Sequence, residues 1–368
     1  MQFETYPFEK LNNLLKDIEP SSKYDPLALT IGEPQFDTPL FIQQELKDAS
    51  HLLRKYPKTG GLQELKDAQI EFFKKRFGIK LANEQIIPTF GTREVLFNFP
   101  QFLLFDTQNP VMAYTNPFYQ IYEGAAIASR AKSMFVEIGG FLSLKQMQEV
   151  DLVIINYPNN PTAVSVDLEH LKQWVEYALE YDFVLLNDEC YSEIYFDVPP
   201  PSLLEASQAV GNSAFKNIVV INSISKRSSA PGLRSGFIAG DSKILQEYLV
   251  YRTYVGAASP EPLQKAAAVA WSDQFHVQVF QELYKQNFEI ANEVLGVQTP
   301  QATFYIWLAV DDELEFAKRL YKEYNVTVIP GSFLGREGAG KGFVRLALVL
   351  NPKDMKEALS RVAKALKD

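Results

Sequence analysis

Cysteine and histidine are scarce in this chain of 368 residues, which limits the chemistry open to it. A single cysteine, Cys190, excludes an internal disulfide and suits a reducing compartment. We expect this cysteine to fill buried space rather than to act as a nucleophile. The three histidines, His51, His170 and His276, lie far apart in the sequence, so no metal-ligand spacing is present and no metal is expected.

Positive charge and long apolar runs are also lacking. Lys and Arg number 36 against 45 Asp and Glu, and the net charge of −9 argues against nonspecific binding to nucleic acid or to an anionic membrane surface. No segment is apolar over the length of a bilayer span, and the N-terminus lacks the basic and apolar regions of a signal peptide. We therefore expect a cytoplasmic protein without a nucleic-acid or membrane partner.

Three apolar segments predict buried strands, and polar residues follow each of them. They cover residues 151–155, 183–186 and 217–222, and an amphipathic helix is predicted between the first two, from Leu168 to Tyr181. This order indicates an α/β fold, a three-layer sandwich whose mostly parallel central sheet is covered on both faces. Ligands bind such sheets at the carboxyl ends of the strands, so the polar residues should converge on one crevice.

The last part of the chain has a different pattern. Strands are predicted over residues 303–308, 326–329 and 343–349, and helices over residues 313–324 and 352–367. This mixture indicates a second, smaller α+β domain.

Lys226 stands at the polar end of the third predicted strand, beside Ser223 and Ser225 and eight residues before Arg234. A lysine in this position is placed like an amine that forms a Schiff base next to a bound phosphate. The two hydroxyls and the guanidinium could bind that phosphate. The pattern suggests pyridoxal phosphate as cofactor.

Other strand ends supply what this cofactor needs. Asp188 could hold the proton of the pyridine nitrogen, and Asn160 and Tyr191 could bind the phenolic oxygen. Upstream, Gly91 and Thr92 begin an apolar helix whose free N–H groups suit an anion, and residues 116–122 offer aromatics for the ring face. Each residue alone has an ordinary structural explanation, as a turn, cap or surface residue, and only their joint occurrence supports the hypothesis.

Taken together, these motifs resemble the class I and II aminotransferases of pyridoxal phosphate fold type I over nearly the whole chain. The motifs follow the family's order: Ile31-Gly32-Glu33-Pro34, Tyr56-Pro57-Lys58-Thr59-Gly60-Gly61, Gly91-Thr92-Arg93-Glu94, Asn159-Asn160-Pro161-Thr162, Asp188-Glu189-Cys190-Tyr191, Ser223 to Arg234, and Phe343-Val344-Arg345-Leu346. The family usually has glycine after Asn-Pro-Thr, where this chain has Ala163. Only the local turn is in doubt, since alanine disfavours positive φ.

The resemblance implies a role for each matching residue. Lys226 would form the internal aldimine and move the proton, and Asp188 would pair with the ring nitrogen. The remaining implied roles are phenolic oxygen binding by Asn160 and Tyr191, phosphate binding by Thr92, Arg93, Ser223 and Arg234, ring stacking by Tyr119, and substrate binding by Gly32 and by Arg345, which would clamp the α-carboxylate. Tyr56 would reach the phosphate site of a neighbouring subunit, which implies a homodimer with shared active sites. The resemblance also implies a large domain of residues 46–279 and a discontinuous small domain of residues 1–45 and 280–368.

A narrower resemblance is to the succinyldiaminopimelate aminotransferases within this class. It rests on residues 6–11, 90–94, 116–126, 225–236 and 330–334. It implies amino transfer between N-succinyl-L,L-2,6-diaminopimelate and 2-oxoglutarate in bacterial lysine biosynthesis. Arg336 and Arg227 are candidates for binding the distal carboxylates of that substrate. Residues 335–342 match most of a P-loop, but the final position is glycine and a strand follows, so a mobile loop is expected there rather than a nucleotide site.

Three alternatives stay open at this point. Another aminotransferase of the class, acting on acetylornithine, aspartate or an aromatic amino acid, would have the same site residues. A β-lyase of the same fold would release pyruvate without needing a keto acid. A cofactor-binding regulator would need an additional DNA-binding domain, for which the chain has neither spare length nor a basic helix.

Overall fold

The computed structural model describes residues 2–367 as an arrangement of twelve strands and fourteen α-helices. The strands are β1 (Leu27–Ala28), β2 (Ile86–Thr89), β3 (Val111–Asn116), β4 (Lys132–Glu137), β5 (Leu152–Ile155), β6 (Val184–Asp188), β7 (Ile218–Ser223), β8 (Gly236–Gly240), β9 (Tyr305–Ala309), β10 (Val326–Thr327), β11 (Ile329–Pro330) and β12 (Phe343–Ala347). The helices are α1 (Pro7–Leu15), α2 (Leu40–Asp48), α3 (Gln63–Phe77), α4 (Thr92–Leu103), α5 (Ile121–Ala128), α6 (Leu144–Met147), α7 (Leu168–Tyr181), α8 (Leu203–Ala209), α9 (Ile224–Arg227), α10 (Ser242–Val255), α11 (Glu261–Ser272), α12 (Phe275–Leu295), α13 (Glu313–Tyr324) and α14 (Pro352–Ala365).

Seven strands form the central sheet, in the order β2-β8-β7-β6-β5-β3-β4. All neighbouring strands from β7 to β4 are parallel, whereas β8 runs antiparallel to both of its neighbours. The predicted α/β fold with a mostly parallel sheet is therefore confirmed. The predicted helix between the first two strands is α7, with the bounds that the sequence indicates.

Both faces of this sheet are covered, as the uninterrupted apolar strands predict. Along β5, Val153 and Ile155 pack into a core with α3, α7, α8 and α11, whereas Leu152 and Ile154 pack into a second core with α4, α5 and α10. Successive residues of a strand point to opposite faces, so one apolar strand contributes to two cores. The result is a sandwich of helices, sheet and helices.

The smaller α+β part contains an antiparallel sheet, β11-β12-β9, and a parallel pair, β1-β10. Helices α12, α13 and α14 cover it, with Phe288, Phe316 and Leu359 in a common core. The single strand predicted over residues 326–329 was wrong, because β10 and β11 pair with different partners on either side of Val328. The C-terminal helix ends at Ala365, two residues before the predicted end.

The predicted domain limits both fall inside helices. The first, at residues 45 and 46, lies in α2, which packs against α11, and the second, at residues 279 and 280, lies in α12. We propose that residues 46–279 form one domain and residues 1–45 with 280–368 the other, connected through these two helices. Within residues 2–367, no helix combines the length and the apolar character that a membrane span requires.

Candidate active site

A cavity of about 830 Å³ opens where the carboxyl ends of β5, β6 and β7 meet β12 and the N-terminal segment. Polar side chains follow these strand ends because parallel strands point the same way, which brings their termini to one edge of the sheet. The structure brings most of the sequence-predicted residues to this cavity: Gly32, Thr92, Arg93, Tyr119, Asn160, Asp188, Tyr191, Ser223, Ser225, Lys226, Arg234 and Arg345.

Lys226 lies on the single helical turn α9, which begins directly after β7. The Ser223 hydroxyl caps this turn by accepting a hydrogen bond from the Ser225 N–H at 3.0 Å. The ammonium of Lys226 donates to the carbonyl oxygen of Gly32. Removal from water lowers the pKa of Lys226 to about 8, since it disfavours the charged form. A substantial fraction of this amine is therefore neutral near pH 8, as a base or nucleophile must be.

Asp188 is the last residue of β6, and its carboxyl group is buried at the floor of the cavity. One oxygen, Oδ2, accepts a hydrogen bond from the Tyr122 hydroxyl at 2.9 Å, and Oδ1 accepts from the Cys190 N–H at 3.2 Å. Burial raises the pKa of Asp188, while these hydrogen bonds and the charge of Lys226 oppose the rise. Hydrogen bonds thus stabilise the carboxylate in part, and within residues 2–367 no lysine or arginine forms an ion pair with it.

Two guanidinium groups and several hydroxyls gather at one end of the cavity. Arg93 donates through Nε to the Tyr119 hydroxyl at 2.7 Å, and Arg234 donates to the Pro231 carbonyl at 2.9 Å. Burial lowers the pKa of Arg234, and the nearby charge of Arg93 lowers it further. In the described part of the chain neither arginine forms an ion pair with a carboxylate. Like charges held together without a counter-ion indicate an anion site.

Glycine is needed at position 91 because the Arg234 guanidinium occupies the space where a side chain would begin. Its φ is +75°, and a Cβ built there would come within 2.4 Å of Nη2 of Arg234. Any larger residue would displace this guanidinium as well as strain the backbone. Ser223 and Ser225 complete the site, with their hydroxyl oxygens 2.8 Å apart.

Arg345, on β12, enters the cavity from the smaller part of the molecule. Its two terminal nitrogens donate to Oδ1 of Asn160 at 2.7 Å and to the carbonyl of Thr30 at 2.6 Å. Its guanidinium lies 4.5 Å above the Tyr305 ring, whose hydroxyl is 3.0 Å from that of Tyr191. Each terminal nitrogen of a guanidinium carries two hydrogens, so this fixed group retains one N–H on each of them for a ligand.

The structure does not bring three predicted residues into the cavity. Tyr56, which was predicted to reach the neighbouring subunit's phosphate site rather than this cavity, is 99% exposed on the surface. Arg227 points away from Lys226 and is buried against Trp271, where it donates to the carbonyl of Ala270 and to the side chain of Gln274, both at 2.9 Å. Successive residues of a helical turn point about 100° apart, which explains this divergence from Lys226. The sequence prediction that Arg227 binds substrate has no support in this geometry.

Arg336 also lies outside the cavity. Its guanidinium makes two hydrogen bonds to the carboxylate of Glu123, one of them from Nε at 2.8 Å. The charge that was predicted to bind a distal carboxylate of the substrate is therefore neutralised within the protein. The turn at Ala163, which the sequence left in doubt, has a φ of +62°, the region that the family's usual glycine would adopt without strain.

Comparison of the chain with known proteins identifies its family. The model of the aminotransferases of class I and II matches residues 24–362. This chain belongs to that family. A crystal structure of the aminotransferase AspB from Helicobacter pylori is 49% identical, covers all of both chains and superposes with a TM-score of 0.97.

Two curated relatives show the range of activities within this class I and II aminotransferase family. The aromatic-amino-acid aminotransferase 2 of Thermococcus litoralis is 30% identical and covers 93% of this chain and 92% of its own length. The LL-diaminopimelate aminotransferase 2 of a Nostoc species is 28% identical and covers 93% of this chain and 91% of its own length. Relatives of this chain within the family are thus named for different amino donors.

Class I and II aminotransferases depend on pyridoxal phosphate, and the cavity fits that group in three respects. A lysine amine with a lowered pKa is available, as a carbonyl partner requires. A buried carboxylate without a full cationic partner suits the ring nitrogen. The paired guanidiniums without a counter-ion suit the phosphate. The cavity thus offers an amine, a carboxylate and an anion site, the three groups that this cofactor needs.

The sequence prediction missed several contacts of this site. Tyr122, which donates to Asp188, stood among the aromatic candidates without a role, and Tyr305 and Thr30 were not singled out. Asn156 donates to the backbone carbonyl of Asp188 at 2.7 Å and so fixes the end of β6. Its position directly after β5, at the same edge of the sheet as Asp188 at the end of β6, was the available signal.

Proposed function

We propose that this aminotransferase transfers an amino group between N-succinyl-L,L-2,6-diaminopimelate and 2-oxoglutarate, in the cytoplasm and as a step of bacterial lysine biosynthesis. The general reaction is supported by one observation above all, that Lys226, Asp188 and Arg345 line the same cavity. The choice of substrate is supported by the resemblance of five segments to the succinyldiaminopimelate enzymes and by the similarity to a diaminopimelate aminotransferase.

When bound, pyridoxal phosphate supplies an aldehyde for the amino group and an electron sink for the electrons released at Cα. Thr92, Arg93, Ser223, Ser225 and Arg234 would hold its phosphate. Tyr119 would lie against its ring, Asn160 and Tyr191 would donate to its phenolic oxygen, and Asp188 would keep its ring nitrogen protonated. These roles use the side chains that the structure brings to the cavity.

Lys226 is the base in this proposal. Its Nζ would take the proton from Cα of the amino acid and deliver it to the carbon that the cofactor's aldehyde supplies, so the amine must be neutral when it takes the proton. The lowered pKa, about 8, supplies the neutral form at moderate pH. The Gly32 carbonyl accepts a hydrogen bond from Nζ, and Gly32 lies against Tyr305, the ring that the Arg345 guanidinium covers.

Arg345 would bind the α-carboxylate of each substrate. Asn160 and the Thr30 carbonyl hold its guanidinium in one orientation, so little side-chain freedom is lost on binding. A carboxylate at Arg345 would also join the smaller part of the molecule to the sheet edge, and this favours the exclusion of water from the cavity.

A second candidate is an amino donor with an aromatic or apolar side chain. Much of the remaining cavity wall is apolar, and neither Arg227 nor Arg336 reaches it. Its apolar lining residues include Phe8, Ile31, Ile121, Ile329 and Leu334, beside the polar side chains of Glu33, Glu94, Asn98 and Gln120. The relative from Thermococcus litoralis is named for aromatic substrates. Aspartate, acetylornithine and a β-lyase reaction remain further alternatives.

A panel of amino donors with 2-oxoglutarate as acceptor tests these proposals. N-succinyl-L,L-2,6-diaminopimelate should give the highest kcat/KM, ahead of L,L-diaminopimelate, acetylornithine, aspartate and phenylalanine. One glutamate should form for each molecule of amino donor consumed. A higher kcat/KM for phenylalanine would establish the second candidate. Release of pyruvate from cystathionine without any keto acid would establish the β-lyase.

We also propose that two copies of the chain form a homodimer in which Tyr56 completes the partner's phosphate site. Leu53, Tyr56, Val250 and Tyr254 are exposed apolar residues on neighbouring segments, since Arg252 of α10 donates to the Thr59 carbonyl. Such a surface is typical of a subunit contact. The test mixes the inactive variant Lys226→Ala with a Tyr56→Ala variant of low activity. Recovery of activity on mixing supports shared sites, and its absence in stable mixed dimers contradicts them.

A further inference from the structure

Two segments that are far apart in the sequence are fastened together beside the cavity. The first runs from the end of β3 into α5, and the second covers residues 331–336, after β11. Asn116 and the backbone of Arg336 exchange two hydrogen bonds, both of 3.0 Å. The Phe118 N–H donates to the Leu334 carbonyl at 2.8 Å.

The strongest contact between these segments is the ion pair of Arg336 and Glu123. Both terminal groups are engaged, with Nε to Oε1 at 2.8 Å and Nη2 to Oε2 at 2.5 Å. The side chains are only 21% and 13% exposed, and the guanidinium lies 5.5 Å from the Phe118 ring. A bidentate pair held mostly away from water is specific in geometry, and removing one partner leaves the other charge buried alone.

This contact is connected to the cavity on both sides. Ile121 and Leu334, one from each segment, line the cavity wall. On the Arg336 side, Ile329 of β11 is the register partner of Arg345, and only a short turn separates β11 from Arg336. The position of the Arg336 segment is therefore tied to that of the substrate-clamp arginine.

The loop that carries Arg336 covers residues 331–342 and is held together at its two ends. A Cβ at Gly331 would lie 2.3 Å from the Gly340 carbonyl oxygen, so the two ends of the loop are in close backbone contact. Glu313 accepts from the Gly342 N–H at 2.9 Å and fixes the loop to α13. Because of these contacts, a change in the position of Arg336 is expected to shift the start of β12, which follows the loop.

We propose that Arg336 and Glu123 are a positioning pair that holds this loop over the cavity and so sets the affinity of Arg345 for the substrate carboxylate. The inference rests on the proposed role of Arg345, but it does not depend on which amino donor is the natural one. It replaces the idea that Arg336 itself binds the substrate.

The test compares Arg336→Met, Glu123→Gln and the exchanged double variant Glu123→Arg with Arg336→Glu. Glu123→Gln keeps the acceptor oxygen and removes only the charge, so it is the variant least prone to misfolding. The matched control is Arg76→Met, which breaks another buried pair, with Glu193 at 2.9 Å, outside the cavity. Each variant is assayed with the donor that the unmodified enzyme uses best.

We expect Arg336→Met to raise KM for the amino donor about tenfold, because small misplacements of a binding group weaken substrate positioning strongly. The turnover number should change little, Glu123→Gln should show a smaller rise, and the exchanged variant should recover part of the loss. Amide hydrogen exchange in residues 331–342 should become faster in Arg336→Met and not in Arg76→Met.

Three results would overturn the proposal: an unchanged KM in Arg336→Met, an equal rise in Arg76→Met, or an exchanged variant that is no better than either single variant. If the unmodified chain transaminates no donor in the panel, the proposed function fails instead. The hydrogen-exchange comparison still tests the positioning pair in that case, since it requires no turnover.

Discussion

Replacing Tyr122 by phenylalanine should shift the ionisation of Asp188 without disturbing the fold. The tyrosine ring is fully buried, and its hydroxyl donates to Oδ2 of Asp188 at 2.9 Å. The phenylalanine ring fills the same space and removes only this donor. The carboxyl group then keeps its contact with Cys190, and nothing else in its surroundings changes.

The size of the effect follows from the strength of the lost hydrogen bond. A hydrogen bond to a charged group contributes about 1.5–3 kcal/mol, and a pKa unit corresponds to about 1.4 kcal/mol. The pKa of Asp188, which burial already raises, should therefore rise further when this hydrogen bond is lost. In its proposed role Asp188 must be ionised to hold a positive ring nitrogen. Loss of a hydrogen bond of this strength should therefore move the acid limb of the kcat/KM profile to higher pH by about one to two pH units.

The assay is the pH dependence of kcat/KM for Tyr122→Phe, with Tyr114→Phe as control. Tyr114 is equally buried on β3, and its hydroxyl bonds to Ser133 at 3.0 Å rather than to a carboxyl group. Both variants lose a buried hydroxyl, but only Tyr122→Phe should move the acid limb. Identical acid limbs in the two variants would refute the reasoning, since the effect would then not pass through Asp188.

Three further outcomes are expected. Lys226→Ala should abolish transamination, measured as glutamate formed, whereas Lys66→Ala, at a lysine outside the cavity whose pKa burial also lowers, should not. Arg227→Lys should lower the free energy of unfolding in urea by about 2 kcal/mol, because an ammonium cannot satisfy the separate acceptors that the buried guanidinium reaches, while KM stays unchanged. A normal stability together with a raised KM would instead restore Arg227 as a substrate residue. Burial raises the pKa of Glu189 from 4.5 to about 8, so between these values the folded chain binds more protons than the unfolded chain and loses stability as the pH rises. Glu189→Gln keeps the acceptor oxygen and removes this loss, so its melting temperature should exceed that of the unmodified chain by at least about 2 °C at pH 8.5 and by less at pH 5.5; an equal difference at both values would contradict the assignment.

The cofactor side of the cavity was predictable because it follows from local rules. Apolar segments without alternation predicted parallel strands, and parallel strands end at the same edge of a sheet. Asp188 and Lys226 therefore meet, although 38 positions separate them in the numbering, and the sequence showed each at a strand end. The same logic would have drawn attention to Asn156, which follows β5 directly.

Where the sequence misled, the cause was either side-chain direction or a distant partner. Arg227 is adjacent to Lys226, but the turn of α9 sends it into α11. Arg336 follows the strand that precedes Arg345, but a carboxylate 213 positions away neutralises its charge. Neither the rotation of a single turn within the fold nor the choice of a distant ion-pair partner is encoded in a local pattern.

The same distinction separates the chemistry of this enzyme from its selectivity. Residues that would serve the cofactor stand at strand ends within one sheet, so any chain that keeps the sheet keeps them in place. Residues that would face the substrate are held by contacts between remote segments, such as that of Arg345 with Thr30 and, next to the cavity, that of Arg336 with Glu123. Relatives that are about 30% identical can therefore share the reaction while they are named for different amino donors. Changes of donor preference should accordingly be sought at these contacts between segments, and in the apolar wall they position, before any residue that binds the cofactor.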